Sequence, residues 1–378
     1  MLLASEPLDH AIACANGLAP HADVVMVSPE RLYADVRRWI DPRIDLRLVD
    51  WPRVRSPRNA GFLWSLSRLI AAERPDVVHV LSNTTVWLNA LPALVGRRPL
   101  VVTVHDVEVH PGDRETARLP GWTSRWMARQ ADHVVVHGET LSRKAHEMLR
   151  IERERIHVLP HPTIDRYAAL ARAEGMRRAG AGNRLTILMF GRLFAYKGLS
   201  DLVKAEAILG RGLKDFRLVI AGRGDNPYDL SAEMGDATRY EIHNRFIYDI
   251  EVARLFTEAD VVVLPYTEAS QSGVLHLASA FGTPVVATDV GEIGATVTEH
   301  ELGIVVPPSD PASLASAIAD LARDPERRAR FADNSLAWAR GPAAPEAVGA
   351  MTVDMYRHIL RTDEGHLRKV EAMPGQSN

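Results

Sequence analysis

The chain has 378 residues, of which 46% are hydrophobic and 25% charged, and its formal net charge is −3 at pH 7. This length exceeds what one hydrophobic core usually serves, so the sequence predicts two domains and excludes extensive disorder. The nearly balanced charge argues against nucleic acid as a partner, and no apolar run reaches the ~18 residues of a membrane-spanning helix. The single cysteine, Cys14, allows no internal disulfide, and the start MLLASEPLDH has no basic segment typical of a signal peptide. A cytoplasmic location is therefore predicted.

Short apolar runs alternate with helical lengths through the first 160 residues. Strands are predicted at Met1–Ala4, Asp23–Val27, Ile44–Val49, Asp76–Val80, Leu100–Val104 and His133–Val136. Helices are predicted near residues 7–19, 30–39, 60–73, 84–95, 122–131 and 139–150. This alternation is typical of βαβ units and a parallel sheet. Residues 1–160 are accordingly predicted to form an N-terminal Rossmann-like domain.

A second alternating series follows residues 161–183, a stretch predicted to be a linker that includes His161. Its strands are predicted at Leu185–Phe190, Arg217–Ala221, Arg245–Ile247, Asp260–Leu264, Pro284–Ala287 and Gly303–Val306. Residues 184–345 form the predicted second Rossmann-like domain, and residues 346–378 a C-terminal helix and tail. The predicted fold class is α/β, with two doubly wound domains whose strand carboxyl ends face a central cleft.

A glycine turn with two cations follows the first strand of this second series. Gly191 lets the backbone approach a ligand closely, and Arg192 and Lys197 place positive charge beside the strand end. A helix is expected to start near Lys197, and its N-terminus would add partial positive charge. These features indicate a clamp for a diphosphate. The alternative is a pair of solvated surface cations.

A second loop, LPYTEASQSGV at 264–274, joins a strand to a helix that is expected to end near Phe281. Ser270 or Ser272 can cap that helix, which would leave the amides near Gly273 and Val274 available to phosphate oxygens. Glu268 is placed to accept hydrogen bonds from sugar hydroxyl groups. The alternative is a plain capped helix with an exposed glutamate.

Four potential metal ligands follow the strand Leu100–Val104, namely His105, Asp106, Glu108 and His110. Such a set could hold a metal ion, but no second cluster in the sequence supplies further ligands at a recognisable spacing. A polar loop at the carboxyl end of the strand is the favoured interpretation, and no metal site is predicted. His133 and His137 are interpreted as strand-end residues.

Together, GRLFAYKG (191–198) and PYTEASQSGVLHLASAFGTPVVATDVGE (265–292) resemble the retaining GT-B glycosyltransferases of family 4. Further family stretches, in the same order, are resembled by VTVHDVEVHPG (102–112), VVHGETLSRKA (135–145), HVLPHP (157–162), ADVVVLPY (259–266) and LGIVVPPSD (302–310). The Ser-Gln-Ser-Gly variant at 270–273 resembles a polysaccharide-forming subgroup. The resemblance implies a nucleotide-diphosphate-sugar donor held mainly by the second domain and a glycan or lipid-linked acceptor held mainly by the first. It also implies retention of anomeric configuration, with no metal and no cofactor.

The resemblance assigns roles to individual residues. Arg192 and Lys197 match the cations that stabilise the departing diphosphate, Glu268 matches the first acid of the E-x7-E motif, and His105 matches a histidine beside the donor sugar. These four residues are the predicted catalytic set. The predicted donor-binding residues are Gly191, Gly222, Ser270, Gln271, Ser272, Gly273, Val274 and His276.

Two positions depart from the family pattern. His276 stands where the family usually has the second acid, which holds the nucleotide ribose, so a weaker ribose contact is expected. SEPLDH stands in place of the family's glycine-rich loop after the first strand. These departures leave two alternatives open: a catalytically silent GT-B protein that binds a nucleotide sugar, and a nucleotide-sugar isomerase.

The segment 31–74 carries ten arginines against five acidic residues, with Trp39, Trp51, Phe62 and Trp64 interleaved. Anionic lipid attracts such segments at roughly 1 kcal/mol per cation near the surface. Peripheral contact with the inner face of a membrane is therefore one hypothesis. A solvated arginine-rich face is the alternative.

Overall fold

The computed structural model describes residues 1–53, 56–81, 86–107, 122–177 and 184–371, without the side chains of residues 86, 122–124 and 363–371. The described chain divides into two compact units. The first comprises residues 1–107, 122–160 and 345–371, and the second comprises residues 161–344.

The first unit is built on a seven-stranded parallel sheet with the order β3-β2-β1-β4-β5-β6-β7. The strands are β1 (Leu2–Leu3), β2 (Val25–Pro29), β3 (Asp45–Val49), β4 (Val78–Val80), β5 (Leu100–Thr103), β6 (His133–Val136) and β7 (Ile156–Val158). The α-helices are α1 (Leu8–Leu18), α2 (Glu30–Tyr33), α3 (Asn59–Glu73), α4 (Trp122–Gln130) and α5 (Glu139–Leu149), with the C-terminal α13 (Pro345–Glu371). Short 3-10 helices cover Arg37–Trp39, Val86–Ala93 and Arg153–Arg155.

The second unit has a six-stranded parallel sheet with the order β10-β9-β8-β11-β12-β13. The strands are β8 (Leu185–Phe190), β9 (Phe216–Ala221), β10 (Tyr240–His243), β11 (Val261–Leu264), β12 (Val285–Thr288) and β13 (Gly303–Val306). The α-helices are α6 (Arg166–Ala173), α7 (Leu199–Leu209), α8 (Asp249–Glu258), α9 (Gly273–Ala280), α10 (Ile293–Glu299), α11 (Pro311–Arg323) and α12 (Pro325–Arg340). Short 3-10 helices cover Ala195–Lys197, Pro227–Glu233 and Ala237–Arg239.

Successive residues of a central strand enter different cores. In β11, Val262 and Leu264 pack into one apolar cluster of the second unit, whereas Val261 and Val263 pack into another. Side chains alternate across a sheet, so a strand covered on both faces must be apolar throughout. This explains the uninterrupted apolar runs, and the strand orders confirm the α/β class with two doubly wound domains.

Two edge strands, β10 and β7, differ most from the sequence prediction. A strand was expected at Arg245–Ile247, but β10 lies earlier, at Tyr240–His243, and pairs in parallel with β9. Its four residues are all half-buried and alternate between aromatic, acidic and aliphatic types, so they lack an apolar run. The edge strand β7 was not predicted for the same reason, since its residues are half-buried or exposed.

The structure places a packed helix where the sequence predicts a linker. Helix α6 lies within the predicted linker 161–183, and Arg166 donates to Asp249 of α8 over 2.5 Å. Tyr167, beside Arg166, belongs to the core of the second unit. Residues 178–183 of the predicted linker lie outside the described chain. His161, also expected in the linker, is buried within the second unit.

The C-terminal helix α13 belongs to the first unit, where it crosses α1 closely. A Cβ atom added at Gly17 would lie 1.9 Å from the Pro345 carbonyl oxygen, and one at Gly349 would lie 1.9 Å from the Gly17 oxygen. Farther along, the Tyr356 hydroxyl group lies 2.6 Å from His79 Nδ1. The predicted tail residues 372–378 lie outside the described chain. Within the described residues, every helix is too short or too polar to cross a membrane.

Candidate active site

Two glycines bring the loops after β8 and β9 together in the second unit. Gly191 has a φ of 115°, and its N–H donates to the Ala221 carbonyl oxygen over 3.0 Å. Gly222 has a φ of 147°, and a Cβ atom there would lie only 1.7 Å from the Gly191 oxygen. Both positions therefore need the conformational freedom and the small size of glycine. Both were among the predicted donor-binding residues, although the steric reason for Gly222 is visible only in the structure.

The two predicted clamp cations lie on the turn that follows Gly191. Arg192 is exposed, and its Nη2 donates to the Tyr196 hydroxyl group over 3.4 Å. Lys197 is half-buried, with its Nζ 3.7 Å from the centre of the Tyr266 ring. An ammonium group at this distance is attracted by the ring's negative face. The cation at position 197 is thus held against the second predicted loop.

Backbone contacts fix the first loop against the second. Gly198 has a φ of 71°, and a Cβ atom there would lie 1.7 Å from the Pro265 carbonyl oxygen. Next to this contact, the Thr267 N–H donates to the Tyr196 carbonyl oxygen over 2.9 Å. The helix expected to start near Lys197 is α7, which begins at Leu199 after a 3-10 turn. Lys197 therefore lies just ahead of the α7 N-terminus.

Tyr266 and Ser272 link the two ends of the second loop. Their hydroxyl groups lie 3.1 Å apart, and both side chains are buried. Burial raises the pKa of Tyr266 to about 12, so its hydroxyl group stays protonated near neutral pH. Ser272 occupies the N-cap position of α9 as predicted, but its side chain forms no capping hydrogen bond. The side chain meets Tyr266 instead, which fixes the path of the loop.

The first loop and the start of α9 are neighbours. A Cβ atom at Gly191 would lie 3.6 Å from Val274 Cγ2, and the Arg192 charge acts to lower the pKa of Tyr266. The structure therefore brings the turn that begins at Gly191, and carries the clamp cations, beside the N-terminus of α9. Gly273 contacts a different element, since its Cβ position lies 3.4 Å from Ile164 Cδ1.

The remaining loop residues precede α9. Glu268, Ser270 and Gln271 are half-buried. The Ser270 carbonyl oxygen accepts a hydrogen bond from the Glu292 N–H over 3.0 Å, which ties the loop to the segment after β12. The carboxylate expected to meet sugar hydroxyl groups is thus carried by a loop fixed at both ends.

His276 lies in a stack of rings in the second unit. Its imidazole stacks on His161 with the ring centres 4.2 Å apart, and it lies 5.0 Å from the ring centre of Trp338 in α12. The His276 side chain is 7% exposed. The sequence did not predict that His161 and Trp338 would enclose the residue that replaces the family's second acid.

In the first unit, His105 lies after β5, where the sequence placed it. Its Nε2 donates to the Leu81 carbonyl oxygen over 2.9 Å, and burial lowers the pKa of the ring. The imidazole is therefore neutral near pH 7. Asp106 is exposed, and Glu108 and His110, the other two ligands of the metal alternative, lie outside the described residues.

Two further histidines join His105, and the sequence analysis did not connect them. His10 of α1 and His137, directly after β6, have their Nε2 atoms 2.9 Å apart. The His10 and His105 ring centres are 4.6 Å apart. Because parallel strands end at the same edge of a sheet, residues following β1, β5 and β6 can meet there. The position of each histidine shortly after a predicted strand was therefore the sequence signal that could have connected the three.

The first unit also contains a groove of about 820 Å³ beside α3. Its lining includes Val27, Val49, Phe62, Trp64 and Leu69. Trp64 is 61% exposed. Trp51, in contrast, is buried in the core, so only part of the aromatic set predicted to meet a membrane is available at the surface.

Several arginines of the segment 31–74 are paired. Arg43 bonds Asp41 over 2.7 Å, and Arg47 bonds Asp45 and Glu73 over 2.6 and 3.2 Å. All three acids are among the five already counted in this segment, so the ion pairs leave its net charge unchanged and engage two of its ten arginines.

Family models match both halves of the chain. The Glycosyltransferase Family 4 model matches residues 9–164, and the Glycosyl transferases group 1 model matches residues 184–324. The chain is 28% identical to the alpha-D-kanosaminyltransferase of Streptomyces kanamyceticus over 90% of this chain and 95% of that protein. It is 30% identical to a GDP-mannose-dependent alpha-(1-6)-phosphatidylinositol monomannoside mannosyltransferase of Mycolicibacterium smegmatis, over 68% and 71% of the two chains.

The fold matches that of solved structures. Sucrose-phosphate synthase from Thermosynechococcus elongatus superposes with a TM-score of 0.71 over 96% of this chain and 98% of that chain, at 18% identity. Matches to both family models and 30% identity over most of two chains agree with the paired loops of the second unit. The chain belongs to glycosyltransferase family 4 and is a glycosyltransferase with the GT-B fold.

Proposed function

We propose that the protein transfers a sugar from a nucleoside-diphosphate donor to a glycan or lipid-linked acceptor, with retention of anomeric configuration. The observation that carries this proposal is that the turn of Arg192 and Lys197 meets the start of α9 at Gly191, with Lys197 over the Tyr266 ring. Negative charge grows on the diphosphate as the glycosidic bond breaks. Cations and helix-terminal amides already in place stabilise that charge without reorganisation.

In this proposal the second unit holds the donor. Arg192 and Lys197 bind the diphosphate, and Glu268 accepts hydrogen bonds from the sugar hydroxyl groups. The predicted loop residues Ser270, Gln271, Ser272, Gly273 and Val274 line the diphosphate site, with Gly191 and Gly222 as its floor. His105, neutral and fixed by Leu81, keeps the role that the family resemblance implies, a hydrogen bond to the donor sugar.

The donor class is tested directly by thermal unfolding with UDP-, GDP- and ADP-sugars. A ligand that binds only the native state increases the free energy of unfolding by about 2.7 kcal/mol at 100 times its Kd, and so raises the melting temperature. Once a donor is found, NMR of the new linkage assigns its configuration. An inverted product would contradict retention.

The same assay separates the two alternative functions. A silent GT-B protein would bind the donor but release no nucleotide, with or without acceptor. An isomerase would convert the donor sugar with no acceptor present. We expect nucleotide release that rises when the acceptor is added, and transfer that is unchanged by EDTA because no metal takes part.

The groove beside α3 supports a lipid-linked acceptor. Its apolar lining, with Trp64 at the surface, suits an acyl or polyprenyl chain, and Arg58 in the same lining suits a phosphate headgroup. Arg58 is 3.4 Å from Asp50, and both side chains are about four-fifths exposed, so this ion pair is weak. Peripheral contact with anionic lipid belongs to this part of the proposal.

A further inference from the structure

Three imidazoles converge at the carboxyl edge of the first sheet. One ring nitrogen from each of His10, His105 and His137 lies within 4.8 Å of the other two. His10 is 1% exposed and His137 is 7% exposed, whereas His105 is half-buried and provides access from solvent. Three nitrogen donors from three separate elements are the minimum protein set of many zinc sites.

Backbone carbonyl groups fix two of these rings. His105 donates its Nε2–H to Leu81, and His137 donates its Nδ1–H to the Leu159 carbonyl oxygen over 3.1 Å. Each bond places the proton on one nitrogen and leaves the lone pair on the other. Metal-binding histidines are typically oriented by such a bond from the nitrogen opposite the metal. In His137 the lone pair is thus on Nε2, the nitrogen that faces His10, and in His105 it is on Nδ1.

The third ring already contacts this group. His10 Nε2 and His137 Nε2 are 2.9 Å apart, a hydrogen-bond distance. Nitrogens around a tetrahedral zinc ion are about 3.3 Å apart, from the usual Zn–N length of ~2.0–2.1 Å. Separating these two nitrogens by a few tenths of an ångström would therefore give the pair a coordinating distance, with the proton between them moving to His10 Nδ1. The third nitrogen lies within 4.8 Å of both and would have to approach by up to about 1.5 Å.

From this arrangement we propose that His10, His105 and His137 bind a borderline divalent transition metal, with Zn²⁺ as the best match. Imidazole nitrogens suit zinc, copper and nickel, whereas magnesium and calcium prefer oxygen ligands. The three protein ligands leave a fourth position for water. The negative charge of Asp106 acts on His105 and would offset part of the charge of the ion.

Neighbouring groups are consistent with nitrogen-only coordination. Cys14 Sγ lies 3.4 Å from His10 Nε2. The three ligand atoms that lie within 4.8 Å of one another are all histidine nitrogens, so the thiol is not a ligand in this proposal. The transfer described above does not require the metal. Zinc and the donor sugar would compete for the one free nitrogen of His105, because its other nitrogen is bonded to Leu81.

The same unit offers a matched control. His133 and His157 also form a close pair, with His157 Nε2 3.0 Å from His133 Nδ1. They lie at the start of β6 and within β7, away from the carboxyl edge. A surface pair of this kind measures the background affinity of two imidazoles for zinc.

The test is calorimetric titration of the metal-free full chain with Zn²⁺, and absorption spectroscopy with Co²⁺. We expect one Zn²⁺ per chain, and Co²⁺ d–d bands of a low-coordinate nitrogen site. Affinity should fall in both His10→Gln and His137→Gln by more than the roughly 10- to 100-fold typical of changes to groups that only orient a ligand. His157→Gln should bind zinc as the wild type does.

Two results would overturn the proposal: a Co²⁺ spectrum identical to that of the hydrated ion, or equal zinc affinity in all three variants. The Co²⁺ spectrum uses the wild-type chain, so it decides the question even if a variant folds poorly. Unchanged melting temperatures of the metal-free variants would show that the loss of affinity is local.

Discussion

The two sheets share a Rossmann-like strand order, but their carboxyl edges are built differently. In the second unit, loops after β8, β9 and β11 lie in backbone contact, through glycines at 191, 198 and 222. In the first unit, the corresponding edge carries the imidazoles of His10, His105 and His137. Direct backbone contact fixes the path of a loop closely. Imidazole side chains, in contrast, change their charge and their hydrogen bonds when they bind a proton or a metal ion. The comparison suggests that the second unit is specialised for rigid placement of charge.

The largest expected effect comes from removing that charge. Lys197→Ala or Arg192→Ala should lower kcat/KM by roughly 10²-fold or more, the usual loss for one group that stabilises transition-state charge. Steady-state kinetics with the identified donor gives the value. Lys204→Ala is the matched control, since Lys204 is an exposed α7 lysine whose Nζ is 3.6 Å from Glu233. If Lys197→Ala behaves like Lys204→Ala, position 197 has no role in transfer.

The second expected effect comes from breaking the backbone contact between the two loops of the second unit. Gly198→Ala puts a Cβ atom 1.7 Å from the Pro265 oxygen, so the two loops must separate. We expect a stability loss above the roughly 1–2 kcal/mol of left-handed strain alone, together with a weaker donor Kd. Thermal unfolding and calorimetry measure the two effects.

Gly175→Ala measures the cost of left-handed backbone strain in the absence of a steric clash. Gly175 has a similar φ of 64°, but nothing lies within 4 Å of its Cβ position. Its variant should lose stability through strain only and keep the wild-type donor Kd. An equal loss of stability in the two variants would show that the contact between positions 198 and 265 is not rigid.

Much of this architecture could be predicted from the sequence. Strands buried on both faces, such as β8 and β11, are apolar apart from Thr186, and the predicted bounds lie within one residue of the observed ones. The half-buried edge strands β7 and β10 lack that signature. Gly191, Arg192 and Lys197 were singled out because a strand, a glycine and two cations follow one another along the chain.

The histidine cluster could not be predicted in the same way. His10 and His137 are 127 positions apart, and no spacing rule connects them. Their meeting depends on the strand order, which places β1 two strands from β5. His161 was assigned to a linker because prolines flank it, although its ring packs on His276. Contacts between distant residues depend on tertiary packing, which local patterns do not report.

Membrane attachment would add to the difference between the two units, because it would give the first unit a role at a lipid surface. The protein should co-sediment with vesicles that contain anionic lipid at low salt and should be released as ionic strength rises. Because Arg43 and Arg47 are already paired with acidic side chains, Trp64→Ala should weaken binding more than a change to either of these arginines. Trp126, 48% exposed and outside the groove lining, provides the control Trp126→Ala. Equal binding to neutral vesicles would contradict an electrostatic attachment.

The smallest expected effect concerns His276, where ring packing and donor binding compete as explanations. The ring is enclosed by His161 and Trp338, so any non-aromatic replacement should cost about 1 kcal/mol of stacking. His276→Glu also restores a carboxylate, which can accept two ribose hydroxyl hydrogen bonds where a neutral imidazole accepts one. His276→Gln removes the ring without adding charge. We expect both variants to melt at lower temperature and only His276→Glu to change the donor Kd several-fold by calorimetry. A Kd that stays constant in His276→Glu would assign the residue to packing alone, and the ribose would then be held entirely by other groups of the second unit.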